Sequence, residues 1–216
     1  MKSKLAAILT PVLLFVLTAA VLLLGSIYPY NKAKTLLGVL FMDTGADSGS
    51  GLEIVDTEID TEYSGETFEE GRIDRPDFGQ QYAVIECKAA DIYAPVYWGS
   101  DKELLEKGAC QSSSSKILGE DGNAVIDAHV DTYFANLESV EPGDEIVLYT
   151  SYGRFTYEAK EKIAFMKSDS SYVSATGKNI LTLYTCRRQL LDTSDARVGV
   201  VCDLKEKAFY YEKEAE

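Results

Sequence analysis

The chain has 216 residues, enough for one ordinary domain with appendages, and 46% of them are hydrophobic. Its 35 acidic residues outnumber its 21 basic ones, so the net charge is −14. Such a surface disfavours nucleic acid as a partner, because binding phosphate requires basic groups.

The N-terminal part of the chain contains a long uncharged segment. No charged residue occurs between positions 5 and 31, and Lys2 and Lys4 precede this stretch. A helix of this length crosses the roughly 30 Å hydrocarbon layer of a bilayer. The apolar run is longer than in a usual signal peptide and lacks a clear cleavage site, which favours an uncleaved anchor over a cleaved signal. We predict a cytoplasmic tail and one transmembrane helix within 1–31, with the rest of the chain extracellular.

Residues 32–79 are predicted to be an acidic extracellular linker. Between positions 43 and 78 the sequence has twelve acidic residues, two arginines and many small residues. Such a segment has few periodic apolar positions to bury, and repulsion between like charges extends it. The linker would hold the following domain away from the membrane.

The remaining region, 80–212, is predicted to fold into a mostly β domain. Short apolar runs alternate with turn signals, and a repeating strand–helix–strand rhythm is absent. Helical signals are short, such as the capping pattern at 100–103. The pattern favours a barrel or sandwich with small helical insertions. The predicted strands are 82–85, 92–97, 124–129, 146–150, 154–158, 180–186 and 198–204.

Three side chains that could take part in catalysis lie at the ends of predicted strands. The only histidine, His129, ends one strand, Cys186 ends another, and Arg197 opens the last strand. A cation near a thiol favours the nucleophilic thiolate, histidine can serve as acid or base, and arginine can donate to a developing oxyanion. Taken singly, a lone histidine or a buried cysteine is more often structural. Spacing alone does not bring the three together.

The other three cysteines are Cys87, Cys110 and Cys202, and none of the four lies in a Cys-x-x-Cys pair. An exported chain can form disulfides, but no disulfide framework is evident from the spacing. Since one histidine leaves few ligands for a Cys/His zinc site, we expect neither a metal nor a cofactor.

Several segments resemble the sortase family. The stretch Leu181-Thr-Leu-Tyr-Thr-Cys186, followed by Arg197, is similar to the family's TLxTC strand end and the arginine that follows it. The resemblance extends upstream and covers most of the predicted domain, in the order typical of the family. The further segments that carry it are 96–101, 105–109, 123–129, 134–137 and 142–146.

The resemblance implies a closed, roughly eight-stranded β-barrel with short helices. Sortases cleave LPxTG-type C-terminal sorting signals of exported proteins, hold the acyl part as a thioester, and pass it to an amine. Carried onto this chain, Cys186 is the nucleophile, His129 the general acid and base, and Arg197 the residue that positions substrate and stabilises the oxyanion. We also expect Tyr184 and Thr185 to bind substrate, and a loop at about 166–179 to form one wall of the groove.

The implied partners are exported proteins with a sorting signal, a peptidoglycan precursor or another amine acceptor, and the cell membrane through the N-terminal helix. One departure is Ala128, since the family usually has glycine before its histidine. An alternative is therefore a catalytically impaired barrel that serves as an extracellular binding module. Another is an L,D-transpeptidase, whose motif has an arginine two residues after its cysteine, as Arg188 is here, but also a histidine-glycine that this chain lacks.

Overall fold

The computed structural model describes residues 52–188 and 195–212, and the strands within these ranges close into a barrel. The predicted transmembrane helix, within 1–31, lies outside the described residues. In the part of the chain that is described, no helix is both long enough and apolar enough to cross a membrane.

The barrel has the strand order β1-β2-β3-β4-β7-β8-β6-β5, with β5 returning to β1. A short helix, α1 (Lys102–Lys107), joins β2 to β3. The prediction of a mostly β, closed, eight-stranded barrel with short helices is confirmed for the described residues. The strands are β1 Gln81–Cys87, β2 Ile92–Trp98, β3 Ala109–Gln111, β4 Asn123–Asp127, β5 Glu145–Thr150, β6 Gly153–Met166, β7 Ile180–Cys186 and β8 Ala196–Phe209.

Two neighbouring pairings bring three strand termini together. Strand β4 runs parallel to β7, and their last paired residues are Asp127 and Tyr184. Strand β8 runs antiparallel to β7, and its first residues pair with the end of β7, where Arg197 lies opposite Cys186. The end of β4, the end of β7 and the start of β8 therefore meet at one edge of the barrel.

The barrel interior is filled by every second residue of these strands. Ala124 and Ile126 of β4, and Leu181 and Leu183 of β7, belong to the main core cluster. The alternation follows from the two-residue period of a strand, which places the intervening side chains on the outer face. Truncating a core leucine such as Leu183, which is fully buried, would cost about 2–5 kcal/mol.

Helix α1 begins one residue later than the capping pattern predicts. The side chain of Asp101, rather than that of Ser100, accepts a hydrogen bond from the Glu103 amide at 2.9 Å. Leu104 is fully buried and packs the helix against β2 and β3. This leaves the Ser100 hydroxyl available to the neighbouring strand β4.

Residues 52–79, the described part of the expected linker, lie against the barrel; we call them the strap. The Phe68 amide donates to the Phe209 carbonyl at 2.9 Å, and Tyr97 donates its hydroxyl hydrogen to Asp56 at 2.7 Å. The acidic composition of this segment predicts an extended linker. The difference arises because apolar side chains spaced along the strap, including Leu52, pack against buried clusters of the barrel.

Candidate active site

Cys186 is the last residue of β7 and lies at the edge of the barrel. Leu181, Leu183 and Thr185 point inward and are buried, whereas Tyr184 and Cys186 lie on the outer face and are partly exposed. The thiol therefore emerges on the outside of the barrel, where a second molecule can reach it.

Arg197, near the start of β8, is the direct partner of Cys186 across the antiparallel pair. Side chains of such partners share a face, with Cβ atoms about 4.5–5.5 Å apart. The pairing continues past the end of β7, because the Arg187 amide donates to the Ala196 carbonyl at 2.9 Å. The Arg197 guanidinium donates to the same carbonyl at 3.2 Å. The backbone ladder thus holds the arginine beside the thiol.

His129 lies two residues beyond β4 and is exposed. The strand was predicted to reach it, but β4 ends at Asp127. The parallel ladder pairs Asp127 with Tyr184, and the Thr185 hydroxyl then donates to the Ala128 carbonyl at 2.7 Å. His129 is the next residue after Ala128 and Cys186 is the next after Thr185, so both directly follow this hydrogen bond along their chains. The structure therefore brings the three predicted catalytic residues to one edge.

Arg188 contacts the two residues that follow His129 in the chain. Its guanidinium donates to the Val130 carbonyl at 2.8 Å and lies 3.6 Å from the Asp131 carboxylate. Together with the bond from Thr185 to Ala128, this contact ties β7 to the chain on both sides of the histidine. Arg188 is exposed, and these contacts give it a structural role.

Thr185 does not lie where the sequence analysis expected it. Its side chain is 2% exposed, and its hydroxyl is occupied by the bond to Ala128. Because the residues of β7 alternate, Thr185 faces the interior while Tyr184 and Cys186 face outward. The placement therefore does not support a direct contact between the Thr185 side chain and substrate.

The loop 167–179 covers the outer face next to Tyr184. The Tyr172 carbonyl accepts hydrogen bonds from Thr182 at 3.1 Å and from Asn123 at 3.0 Å. Phe165 bridges the loop and the strand, since its ring lies 5.5 Å from that of Tyr172 and 5.6 Å from that of Tyr184. The loop thus packs on the outer face near Tyr184, and its role as a wall of the substrate groove stays a prediction.

The sequence analysis did not single out Asp127, which the structure places on the outer face beside Tyr184. Burial raises the pKa of its carboxyl to about 6, although a hydrogen bond from Ser100 and the charge of Arg197 act in the opposite direction. Burial also raises the pKa of Tyr184 to about 12, and the charge of Asp127 adds to that effect. We use the name site face for the outer surface formed by Asp127, Tyr184, Cys186 and Arg197.

All four cysteines are free, and Cys186 alone among them is partly exposed. Cys87, Cys110 and Cys202 are buried, and burial raises the pKa of each thiol, to about 12 for Cys110. A thiol with a raised pKa is a poor nucleophile at neutral pH. Accessibility and thiol chemistry therefore both favour Cys186 as the reactive cysteine.

A cleft of about 880 Å³ lies away from the site face, between the strap and the loop before β4. Lys207, in its lining, is ten residues along β8 from Arg197, which corresponds to about 30 Å of strand. Lys207 contacts Asp121 at 2.9 Å, and Lys116 lies 3.7 Å from Glu120. Its lining has no cysteine or histidine, so this cleft does not offer the chemistry of Cys186.

Comparisons with known proteins show which family the chain resembles. Sortase D of Bacillus subtilis strain 168 is 34% identical over 113 residues, which is 52% of this chain and 57% of that protein. The chain thus spans just over half the length of that relative.

Solved structures share the fold. Sortase A of Listeria monocytogenes has a TM-score of 0.55 and 22% identity, covering 59% of this chain and 89% of the other. A Clostridium perfringens sortase D5 transpeptidase has a TM-score of 0.55 and 24% identity, and the match covers 61% of this chain and 82% of the other. The sequence profile of the sortase domain matches residues 85–205, more than half of the chain. This chain belongs to the sortase family.

Proposed function

We propose that the protein is a cysteine transpeptidase that cleaves LPxTG-like sorting signals of exported proteins and transfers the acyl part to an amine. The observation that carries this proposal is that Cys186 lies opposite Arg197 in the β7–β8 ladder, while His129 follows the end of β4, the parallel neighbour of β7. A nucleophile, an acid–base group and an oxyanion donor converging from separate strands are the parts that acyl transfer needs.

In the first half of the reaction, the Cys186 thiolate attacks the carbonyl carbon of the signal's threonine. The carbonyl electrons move to its oxygen, where the N–H groups of Arg197 stabilise the negative charge. As the carbon–nitrogen bond breaks, protonated His129 gives its proton to the leaving amine. The product is a thioester on Cys186 and a released peptide.

In the second half, an amine attacks the thioester carbon while neutral His129 accepts a proton from its nitrogen. The carbon–sulfur bond then breaks, and Cys186 leaves as a thiolate. One amide bond has been broken and one formed. Tyr184 and the loop 167–179 border the approach to the thiol, and both support an extended substrate lying over the site face.

The membrane location belongs to the same proposal. The uncharged stretch at 5–31 would anchor the chain with its N-terminus in the cytoplasm, and the barrel would work outside the cell. There it would meet exported proteins and a peptidoglycan precursor or another amine.

The alternative of a catalytically impaired binding module rests on Ala128. That residue is 5% exposed and belongs to the barrel core, so its methyl group points away from the site face. The carbonyl of the same residue is held by Thr185. An alanine in this position is therefore compatible with an active arrangement, which favours the enzyme over the binding module.

The proposal is tested by incubating the full chain with a panel of LPxTG-type peptides, with and without amine acceptors. We expect cleavage after threonine, and a new amide product when the amine is present. Cys186→Ala should yield no product, whereas Cys87→Ala, which removes a buried thiol of β1, should retain activity. Cleavage by Cys186→Ala would show that the proposed mechanism is wrong.

A further inference from the structure

The carboxylate of Asp127 occupies an unusual position for an acidic side chain. It lies on the outer face at the end of β4, between Cys110 of β3 and Tyr184 of β7. Cys110 is fully buried, and Tyr184 is partly buried. A carboxylate among such neighbours loses much of its hydration and needs hydrogen-bond donors or a cation to compensate.

The protein supplies little of that compensation. Among the described residues, the only side-chain hydrogen bond to Asp127 comes from the Ser100 hydroxyl, at a long 3.4 Å. Its own backbone amide is a further donor. Among residues 52–188 and 195–212, no salt bridge within 4.0 Å joins it to a lysine or arginine, and Arg197 acts on it through its charge. An ionised carboxylate accepts about four hydrogen bonds, so Asp127 has unused capacity.

Two other acids, Asp131 and Asp56, each have a cationic side chain nearby. Asp131 is exposed and lies 3.6 Å from Arg188, and Asp56 accepts a hydrogen bond from Tyr97 and lies 3.8 Å from Lys107. Asp127 is the partly buried acid of the site face, and its remaining capacity to accept hydrogen bonds is available to a bound molecule.

The distance from Asp127 to Cys186 matches a substrate side chain. The two residues lie on adjacent parallel strands, share a face and are offset by two positions. With strands about 4.8 Å apart and two residues rising about 6.6 Å, the separation is about 8 Å. Side chains on one side of an extended peptide repeat at a similar distance, about 6.8 Å. A peptide whose carbonyl is at Cys186 can thus present a nearby side chain to Asp127.

We propose that Asp127 is a specificity-determining residue that binds a cationic side chain of the substrate within two residues of the cleaved bond. A lysine or arginine there would supply hydrogen-bond donors beyond the Ser100 hydroxyl, and a positive charge in addition to that of Arg197. This inference rests on the proposed function, since it assumes a peptide substrate over the site face. It assigns Asp127 to substrate choice, while Cys186, His129 and Arg197 carry out the chemistry.

The test measures binding, so that its result does not depend on turnover. The full chain with Cys186→Ala is titrated with fluorescein-labelled peptides of the form Leu-Pro-x-Thr-Gly-x, in which each x in turn is lysine, norleucine or glutamate. Norleucine matches the lysine stem without its charge. We expect the peptide with lysine at one of these positions to bind with a Kd at least about tenfold lower than that of the norleucine peptide. A difference of this size is in line with a charge-assisted hydrogen bond.

Adding Asp127→Asn should bring the affinities of the lysine and norleucine peptides to within about twofold of each other. The affinity of the norleucine peptide itself should change by less than about threefold. The matched control is Glu145→Gln, which removes one exposed negative charge at the start of β5 and should keep the lysine-to-norleucine ratio. Repeating the titration at high salt separates a local contact from the general attraction of a chain with net charge −14.

The inference is overturned if no lysine peptide is preferred, or if Asp127→Asn leaves the preference intact. It is also overturned if Glu145→Gln reduces the lysine-to-norleucine ratio as much as Asp127→Asn does, which would assign the preference to general charge attraction. Formation of an acyl-enzyme by the unmodified chain with the norleucine peptide tests the proposed function separately.

Discussion

Cys186 and Arg197 face each other across the antiparallel pair of β7 and β8, so a single backbone ladder sets their relative position. Both residues lie in strands, which fixes the placement of their backbones. Changes at one residue should therefore alter chemistry with little effect on folding.

Thiol reactivity should single out Cys186. In the folded chain at neutral pH, iodoacetamide should alkylate this residue at least about tenfold faster than Cys87, Cys110 or Cys202, because those thiols are buried and their pKa values are raised. Mass spectrometry of the labelled peptides gives the four rates. Cys186→Ala should lose the fast phase, and equal labelling of all four would contradict the site.

Removing the guanidinium of Arg197 should slow the transpeptidase reaction without unfolding the barrel. Arg197→Ala should lower kcat by about 10²–10³, the usual cost of losing an oxyanion donor. Arg197→Lys should recover part of that loss, since it keeps the charge but not the forked geometry. Arg187→Ala, which removes an exposed neighbouring guanidinium, is the control. If Arg197→Ala kept full activity, arginine would have no role in the transition state.

The hydroxyl of Thr185 should matter for both stability and turnover. Thr185→Val leaves the buried Ala128 carbonyl without its donor and should destabilise the fold by about 1–2 kcal/mol. Since that bond aligns the chain just before His129, kcat should also fall. Thr185→Ser keeps the hydroxyl and is the matched control in urea unfolding and activity assays. A valine variant as stable and active as the serine variant would show that the bond is dispensable.

Asp127 should make the fold less stable as the pH rises. Its pKa is about 6 in the folded chain against an ordinary value of 3.8, so between these values the folded state binds more protons than the unfolded state. Stability from this group is present below about pH 4 and is lost as the pH rises through 6. The groups that face it are Ser100, Cys110, Tyr184 and Arg197.

Asp127→Asn should therefore raise the free energy of unfolding at pH 7.5 by about 1–2 kcal/mol, a figure reduced from the full shift because the carboxylate is partly exposed. The gain should vanish near pH 4, where the aspartic acid is neutral in both states. Urea unfolding at the two pH values measures this. A variant less stable than the parent at pH 7.5 would show that the carboxylate is well compensated.

The catalytic strand was predictable because its residues alternate cleanly, and the predicted segment 180–186 coincides with β7. Strands β6 and β8 extend well beyond the predicted 154–158 and 198–204. The added residues include polar stretches, 160–162 in β6 and 205–207 in β8, which interrupt the apolar alternation that marks a strand. They are supported instead by pairing between β6 and β8, with ion pairs from Lys160 to Asp203 and from Lys205 to Glu158.

Other features depend on partners that are distant in the sequence. Strand β3 has only three residues, too few for any periodicity, and exists because β2 and β4 flank it. Asp127 follows an apolar run, and the sequence alone suggests an ordinary exposed aspartate. Its environment comes from Cys110, Tyr184 and Ser100, which belong to separate elements. Likewise, the composition of the strap does not show which of its apolar side chains pack against the barrel.

The most direct test of the central claim is the intact mass of the protein after brief mixing with an LPxTG-type peptide and acid quenching. The account predicts that the chain gains the mass of the acyl fragment, that hydroxylamine removes this adduct, and that the adduct maps to Cys186. It also predicts that Cys186→Ala forms no adduct. An adduct on any other residue, or product formation by Cys186→Ala, would contradict the account.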